Sequence, residues 1–277
     1  MKRIVSIQDI SCVGKCSLTV ALPIISAMAT EAVIIPTAVL STHTAFKGFT
    51  FKDLTSDIKN IVNHLKSQDL SFDAMYTGYL GSFEQIEIME WLFDTLKTPT
   101  NSIIVDPVMA DHGKFYTGFD EKFAKRMAKL CSKATVVMPN ITEASFMLGL
   151  PYIEKGYDKQ YIHDILIGLH KLGAKYPVLT GVSFEDNKVG IMTYLSDKDE
   201  FFEYYNTRLD MSLHGTGDIF ASCFTGSYVN GKGLEESLRI AVDFVCECIK
   251  CTISDTDARW YGASFEKAIP YLIERIK

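Results

Sequence analysis

The sequence predicts an α/β fold with a mostly parallel central sheet and helices on both faces. Short apolar segments of strand type alternate with amphipathic helical segments over almost the whole of the 277 residues. This alternation is typical of successive βαβ units, which build a parallel sheet covered by helices. No internal repeat and no linker rich in Pro and Ser interrupts it, so we expect residues 1–277 to form a single domain.

The alternating part of the chain accounts for six strands and six helices in order. The strands are predicted where short apolar runs occur, at Arg3–Gln8, Ala32–Thr37, Ala74–Thr77, Ser102–Asp106, Thr135–Met138 and Pro177–Thr180. The helices are predicted where apolar residues recur at helical spacing, at Cys16–Ala29, Thr55–Ser67, Ser82–Lys97, Asp120–Leu130, Thr142–Leu148 and Asp158–Leu172. Pro23 predicts a kink within the first helix.

The order of elements changes in the last third of the chain. Lys188–Leu195 and Glu200–Tyr205 flank the polar turn Ser196–Asp199, which predicts a hairpin at the sheet edge. Three helices follow, and we predict them at Gly215–Tyr228, Leu234–Cys251 and Ser264–Ile276.

Composition excludes several classes of partner. The net charge is −6 and no basic run stands out, so we expect no binding to nucleic acid. No apolar run approaches the roughly 20 residues that span a bilayer, and the first residues lack the pattern of a signal peptide, so we expect no membrane association. The seven cysteines are odd in number and scattered, which predicts reduced thiols and a cytoplasmic protein.

Ligands of open α/β sheets bind beyond the carboxyl ends of the strands. Five segments follow predicted strands and are therefore the candidate ligand-binding segments. They are Gln8–Gly14, Thr77–Ser82, Asp106–Asp111, Asn140–Glu143 and Thr180–Ser183.

The most informative motif is His214-Gly215-Thr216-Gly217-Asp218, which precedes an apolar helix. Two glycines allow several N–H groups to point into one cavity at a helix start, where phosphate oxygens bind. Asp218 would then stand where it can take a proton from an attacking hydroxyl group. The alternative is that Gly-Thr-Gly-Asp only caps the helix.

Two further motifs follow predicted strands. Asp106 leaves a buried strand at the ligand edge, although an Asp before Pro107 is also a common turn device. Asn140 and Glu143 have the spacing of a helix capping box, or they help to hold a hydrated Mg²⁺. Metal, phosphate cradle and base would together supply the positioning and charge neutralisation that phosphoryl transfer needs.

These motifs resemble those of the ribokinase superfamily. The resemblance rests on Asp106-Pro-Val, Asn140-x-x-Glu143 and Gly215-Thr-Gly-Asp218, and it covers Arg3 to about Val245. Ser41–Thr44 and Thr77–Ser82 resemble the pyridoxal kinase branch. The resemblance implies a ribokinase-like three-layer αβα sandwich. It also implies ATP-dependent phosphorylation of the 5′-hydroxymethyl group of pyridoxal, pyridoxine or pyridoxamine in vitamin B6 salvage, usually by a homodimer.

The resemblance also implies roles for individual residues. Asp218 would be the base, and Gly215, Thr216 and Gly217 would form the anion hole. Asp106 and Glu143 would act on Mg²⁺ and the phosphates, and a monovalent cation is allowed as a further cofactor. The vitamin pocket would include Asp9, His43, Thr44 and Tyr79. The nucleotide would be contacted by Asn140, Thr180 and Gly181, with Tyr116 in a flap at Asp111–Gly118 shielding the phosphates.

Asp9 departs from the pattern of the pyridoxal kinase branch, in which a serine follows Gln8. An aspartate there resembles hydroxymethylpyrimidine kinases of thiamine synthesis, and it suits a protonated ring nitrogen or an exocyclic amine. The pyrimidine is therefore the alternative substrate. A non-catalytic binding protein on the same fold is a further alternative, because fold does not fix function.

Overall fold

The structure is a computed structural model that describes residues 1–277, and it has a mixed, mostly parallel sheet of nine strands with nine helices. The predicted α/β fold class is confirmed. The sheet strands are β1 Arg3–Val13, β2 Glu31–Thr42, β3 Phe51–Asp53, β4 Ala74–Thr77, β5 Ser102–Val105, β8 Val136–Val137, β9 Tyr176–Val182, β10 Lys188–Leu195 and β11 Glu200–Thr207. A separate ribbon is formed by β6 Ala110–Asp111 and β7 Lys114–Phe115.

The helices alternate with these strands and then close the chain. They are α1 Leu18–Ala27, α2 Thr55–Ser67, α3 Phe83–Leu96, α4 Glu121–Cys131, α5 Ile141–Leu148, α6 Lys159–Leu172, α7 Thr216–Val229, α8 Leu234–Ser254 and α9 Phe265–Ile276. None of them is both long and apolar enough to cross a bilayer.

The chain divides into two compact units, while the sequence analysis predicts one domain. The first unit comprises Met1–Tyr76, Leu96–Asn101 and Arg208–Lys277, and the second comprises Thr77–Thr95 and Ser102–Thr207.

The first unit contains the strand order β4-β1-β2-β3. β1 pairs with β2 in parallel, and β2 pairs with β3 in antiparallel fashion. Residues Ile4–Gln8 are all fully buried, apolar and polar alike. Unbroken burial of this kind is typical of a strand covered on both faces.

Helices α1 and α7 of the first unit pack closely at their C-terminal ends. A Cβ at Gly226 would lie 1.9 Å from the Met28 methyl carbon, so a larger residue there would have to displace the end of the Met28 side chain. The Asn230 side-chain amide donates to the Met28 carbonyl at 3.0 Å and to the Thr30 hydroxyl at 2.9 Å. The two helices are therefore fixed against each other at this end.

The second unit contains the strand order β11-β10-β9-β8-β5. β5, β8 and β9 run parallel, whereas β10 is antiparallel to both β9 and β11. The predicted hairpin of β10 and β11 lies at the edge of this strand order, as expected.

Several predicted boundaries differ from the observed ones. α2, β4 and β10 have the predicted bounds, but β1 and β2 extend five residues further towards their C-terminal ends than Gln8 and Thr37. The short strands β3, β6 and β7 were not predicted, because two or three residues carry no measurable alternation.

Candidate active site

Asp218 lies in the first turn of α7, where Gly215 is the N-cap residue. Gly215 has the left-handed φ of 82°, and a Cβ there would lie 1.8 Å from the Lys15 carbonyl oxygen. Only glycine therefore fits this turn. Thr216, Gly217 and Asp218 follow within the helix, and the first N–H groups of a helix have no partner inside it. These N–H groups begin a helix directly after a left-handed turn, at the position where the sequence predicts a phosphate cradle.

The environment of Asp218 favours a carboxyl group that exchanges protons near neutral pH. Burial raises the pKa of Asp218 to about 7, the negative charge of Asp9 adds to that rise, and the Ser17 N–H acts against it. A base with a pKa near the working pH is the most effective proton acceptor.

Asp9 lies inside β1 and not beyond its end, so the prediction that Gln8–Gly14 follows the first strand is wrong. The pairing with β2 shifts between Gln8, which faces Pro36, and Ile10, which faces Val39. Two residues of β2 therefore face Asp9 alone, and such a bulge redirects the side chain beside it.

The Asp9 carboxyl is buried and accepts two hydroxyl donors. Ser17 donates to Oδ1 at 2.6 Å and Ser11 donates to Oδ2 at 3.3 Å. Burial raises the pKa of Asp9, and these hydrogen bonds oppose the rise. Burial and the charges of Asp218 and Asp9 also raise the pKa of the neighbouring Cys16 to about 12, so this thiol stays protonated.

His43 is held in one tautomer by the backbone. The Ala45 N–H donates to Nδ1 at 3.1 Å, which leaves the hydrogen on Nε2 to donate to the Tyr261 carbonyl at 3.1 Å. The ring stacks on His214 with centroids 4.5 Å apart. Burial lowers the pKa of His43, so the neutral form is favoured. Thr44, the neighbouring predicted residue, is exposed.

Aromatic side chains that the sequence analysis did not identify pack around His43. Phe46 contacts His43 with centroids 5.0 Å apart and contacts Trp260 at 4.6 Å. Trp260 is 66% exposed although its ring lies 6.0 Å from that of His43. No sequence signal links positions 46 and 260, because the contact arises only from the fold.

In the second unit, Asn140 and Glu143 form the capping box that their spacing predicts. The Glu143 N–H donates to Asn140 Oδ1 at 2.9 Å, and the Asn140 N–H donates to Glu143 Oε2 at 2.9 Å. Glu143 also accepts from the N–H of Met109 at 3.0 Å, and Asn140 donates to the Ala110 carbonyl at 2.8 Å. The two side chains therefore cap α5 and also fix the backbone that leads into the β6–β7 ribbon.

The ionisation of Glu143 depends on opposing effects. The side chain is buried, and burial raises the pKa of its carboxyl well above the ordinary value. The N–H donors of Asn140, Met109 and Ala110 oppose that rise because they stabilise the charged form.

Two other predicted nucleotide-binding residues, Asp106 and Thr180, lie at or just after strands, and Thr180 adjoins the same cap. Asp106 follows β5 and is only 7% exposed, and its N–H donates to the Thr77 carbonyl at 2.9 Å. Thr180 forms an isolated bridge with Asn140, and its N–H donates to the Pro139 carbonyl at 3.0 Å. Gly181 has a left-handed φ of 72° with open space where a side chain would be.

The predicted flap contains the β6–β7 ribbon. Its turn is formed by His112 and Gly113, both with positive φ. The Gly113 N–H donates to the Thr142 hydroxyl at 3.1 Å, which connects the turn to α5. Tyr116 is 43% exposed just after β7. The ring of Tyr79 packs against the ring of Phe119, with the two ring centroids 5.6 Å apart.

No group of three or more His, Cys, Asp or Glu side chains is arranged to hold a metal ion. Asp106 follows β5, and Glu143 lies in the first turn of α5. Mg²⁺ usually keeps several waters and takes one or two carboxylates together with substrate phosphates, and Asp106 and Glu143 are donors of that type.

The fold and the motifs define this chain as a member of the ribokinase superfamily. A profile of the phosphomethylpyrimidine kinase family matches residues 22–259, and the chain belongs to this family. Among solved structures, a candidate phosphomethylpyrimidine kinase from Bacteroides thetaiotaomicron is 36% identical, with a TM-score of 0.93 over 98% of this chain and 93% of that chain. A second crystal form of that kinase, with pyridoxal, is 35% identical, with a TM-score of 0.91 over 98% and 95%.

Two other relatives are pyridoxal or pyridoxine kinases. The pyridoxal kinase of Lactobacillus plantarum is 28% identical, with a TM-score of 0.90 over 99% of this chain and 97% of that chain. The pyridoxine kinase of Bacillus subtilis is 28% identical over 184 residues, or 65% of each chain. The match covers 35%, 65% and 31% of the length of three curated relatives, so this chain corresponds to only part of each. The resemblance to pyridoxal kinases of the ribokinase superfamily is confirmed.

Proposed function

We propose that this protein is an ATP-dependent kinase that phosphorylates the 5′-hydroxymethyl group of pyridoxal, pyridoxamine or pyridoxine. The observation that carries the proposal is Asp218, a carboxyl with a pKa near 7 at the start of α7, directly after the left-handed turn at Gly215. This is the arrangement that an alcohol kinase needs, because base and phosphate-binding N–H groups lie in one turn of chain.

The chemistry assigned to Asp218 is proton removal. Its ionised carboxylate takes the proton of the substrate hydroxyl group as the oxygen forms a bond to the γ-phosphorus of ATP. The bond between that phosphorus and the bridging oxygen breaks, and ADP leaves with the electron pair. The N–H groups at Gly215–Asp218 stabilise the negative charge on the transferred phosphoryl group.

Asp106 and Glu143 are assigned to the nucleotide in this proposal. Asp106 and Glu143 would hold Mg²⁺ largely through water, and the ion would neutralise charge on the phosphates. The remaining nucleotide contacts are assigned to Asn140, Thr180, Gly181 and Tyr116. The Asn140–Glu143 cap supports this assignment because it fixes the backbone on which the flap is built.

Asp9, His43, Thr44 and Tyr79 are assigned to the vitamin. The buried Asp9 carboxylate suits a protonated ring nitrogen, and His43 offers a neutral aromatic face. The pyridoxal-bound form of the Bacteroides relative favours a B6 vitamer for this chain. Asp9 and the match to the phosphomethylpyrimidine kinase family favour 4-amino-5-hydroxymethyl-2-methylpyrimidine, which is the second candidate substrate.

We further propose a cytoplasmic homodimer. All seven cysteines are free thiols, which supports a reducing compartment. Sedimentation equilibrium on the purified protein measures the assembly, and a mass near the 31.0 kDa of one chain would contradict the dimer. Turnover measured in Na⁺ and then in K⁺ tests whether the reaction depends on a monovalent cation.

The decisive experiment is a coupled assay of ADP formation with Mg²⁺ and each candidate alcohol in turn. The highest kcat/KM for a B6 vitamer is expected. The highest value for the pyrimidine would keep the chemistry and move the role to thiamine synthesis. If none of the alcohols stimulates ADP formation although pyridoxal binds, the protein is a non-catalytic binding protein.

A further inference from the structure

Ser17 combines features that a residue before a helix does not require. It is the N-cap residue of α1, yet its side chain makes no hydrogen bond to the helix. Its φ of 50° and ψ of −135° lie in a region that residues with a side chain rarely adopt. A strained residue of this kind persists where the surrounding structure holds it, and such residues cluster at functional sites.

The hydroxyl group and the backbone N–H of Ser17 interact with the carboxyl groups of Asp9 and Asp218. The hydroxyl donates to Asp9 Oδ1 at 2.6 Å, the shorter of the two hydrogen bonds that Asp9 receives from hydroxyl groups. The backbone N–H acts on Asp218, where it stabilises the ionised form. The unusual backbone of Ser17 therefore brings one residue into contact with both acids.

We propose that Ser17 is a positioning residue that holds the carboxyl groups of Asp9 and Asp218 in one arrangement through hydrogen bonds to both. The role of Ser17 in catalysis rests on the proposed kinase function. The hydrogen bonds that Ser17 makes do not depend on that function, so they can be tested separately.

Few other groups influence these acids. Asp9 faces Ser11, Cys16 and Asp218, and the Cys16 thiol carries no charge near neutral pH. The charge of Asp9 raises the pKa of Asp218, so the titrations of these two groups are linked. The active form needs both carboxyls ionised, Asp218 as base and Asp9 as partner of the substrate. The Ser17 hydroxyl lowers the pKa of Asp9, so its loss raises that pKa. The doubly ionised, active form then requires a higher pH.

Two substitutions separate the hydroxyl from the backbone strain. Ser17→Ala removes the hydroxyl and keeps the strain, whereas Ser17→Gly removes both. We expect both variants to lose roughly tenfold to hundredfold in kcat/KM at pH 7, as for a hydrogen bond to a charged group. We also expect the acidic limb of the pH profile to move to higher pH in both. Ser17→Gly should unfold in urea no earlier than the wild type.

A double-substitution cycle tests whether the hydroxyl acts through Asp9. Adding Ser17→Gly to Asp9→Asn should cause little further loss, because the carboxylate that the hydroxyl stabilises is gone. Ala29→Gly is the matched control, since Ala29 also has a positive φ, of 55°, outside the site. It should relieve strain without moving the pH profile.

A titration without turnover completes the test. Protein labelled with ¹³C at the aspartate carboxyls is followed by NMR, with Asp9→Asn identifying the Asp9 signal. A higher Asp9 pKa in Ser17→Gly is expected, and an unchanged value overturns the inference. Wild-type kinetics in Ser17→Gly with a defect only in Ser17→Ala would also overturn it, since the backbone alone would then matter. If the wild type phosphorylates no candidate alcohol, the proposed function fails, and the NMR titration still decides the role of Ser17.

Discussion

Replacing Gly215 with alanine tests how closely the phosphate-binding turn is fitted to the chain beside it. The left-handed conformation, with φ 82°, costs an alanine about 1–2 kcal/mol. The new Cβ would also lie 1.8 Å from the Lys15 carbonyl oxygen, whereas Cβ contacts below 3.0 Å essentially do not occur. The two must therefore separate by at least 3.0 − 1.8 = 1.2 Å. Overpacking of this kind adds roughly 1–3 kcal/mol.

Gly231→Ala provides the matched control. Gly231 has almost the same φ, 83°, but no atom within 4 Å of the place a Cβ would take. We expect Gly231→Ala to lower the free energy of unfolding by about 1–2 kcal/mol and to leave turnover unchanged. Gly215→Ala should lower it by roughly 2–5 kcal/mol in total.

The kinetic difference between these variants should be larger than the difference in stability. A displacement of about 1 Å in a reacting group can cost on the order of 100-fold in rate, so Gly215→Ala should lose kcat/KM by about that factor. Urea unfolding and the ADP-coupled assay measure the two quantities. Equal losses of stability and activity in both variants would refute the reasoning, because the contact with Lys15 would then have no effect.

Three further predictions concern the base, the cap and the flap. Because Asp218 must be ionised and its pKa is about 7, kcat/KM should rise about tenfold per pH unit below that value and then level off, and Asp218→Asn should lower kcat by about 10²- to 10⁴-fold. Asn140→Ala removes the acceptor for the first turn of α5 and should cost about 1–2 kcal/mol of stability while raising KM for ATP. Gly113→Ala places a Cβ 2.7 Å from the Tyr152 ring and should raise KM for ATP with little change in kcat.

Each of these predictions has an outcome that contradicts it. A pH profile that is flat between pH 5 and pH 8, or normal turnover in Asp218→Asn, would remove Asp218 as the base. Asp158→Ala is the control for the cap, because Asp158 accepts from the Tyr161 N–H at 2.9 Å in the same way at the start of α6. It should lose similar stability and keep its KM for ATP. For the flap, an unchanged KM in Gly113→Ala would show that the turn does not affect nucleotide binding.

Local patterns predicted the fold class and the cap of α5 correctly. The capping box was predicted because its residues lie three positions apart, so a short segment contains all the information. The α2 helix has its predicted bounds because its apolar residues keep helical spacing throughout. The family was predicted for a similar reason, since its motifs are short and directly readable.

Features that depend on pairing or backbone conformation could not be predicted. β1 continues through Asp9 because β2 extends beside it, and the bulge opposite Asp9 exists only in the paired state. A serine before a helix indicates a cap, and nothing in the sequence shows that Ser17 instead has a positive φ and bonds to Asp9. The aromatic neighbours of His43 come from positions more than 200 residues apart in the chain.

The close packing of α1 and α7 sets a limit on changes in chain length. Gly226 packs against Met28 next to the hydrogen bonds of Asn230, and Asp218 lies eight positions earlier on the same helix. One residue inserted between them would leave α7 helical but turn Asp218 by roughly 100° about the helix axis, given 3.6 residues per turn. One residue inserted after Asn230 would fall in the loop before α8 and leave this angle unchanged. The number of residues between 218 and 226 therefore sets the direction in which Asp218 leaves the axis of α7.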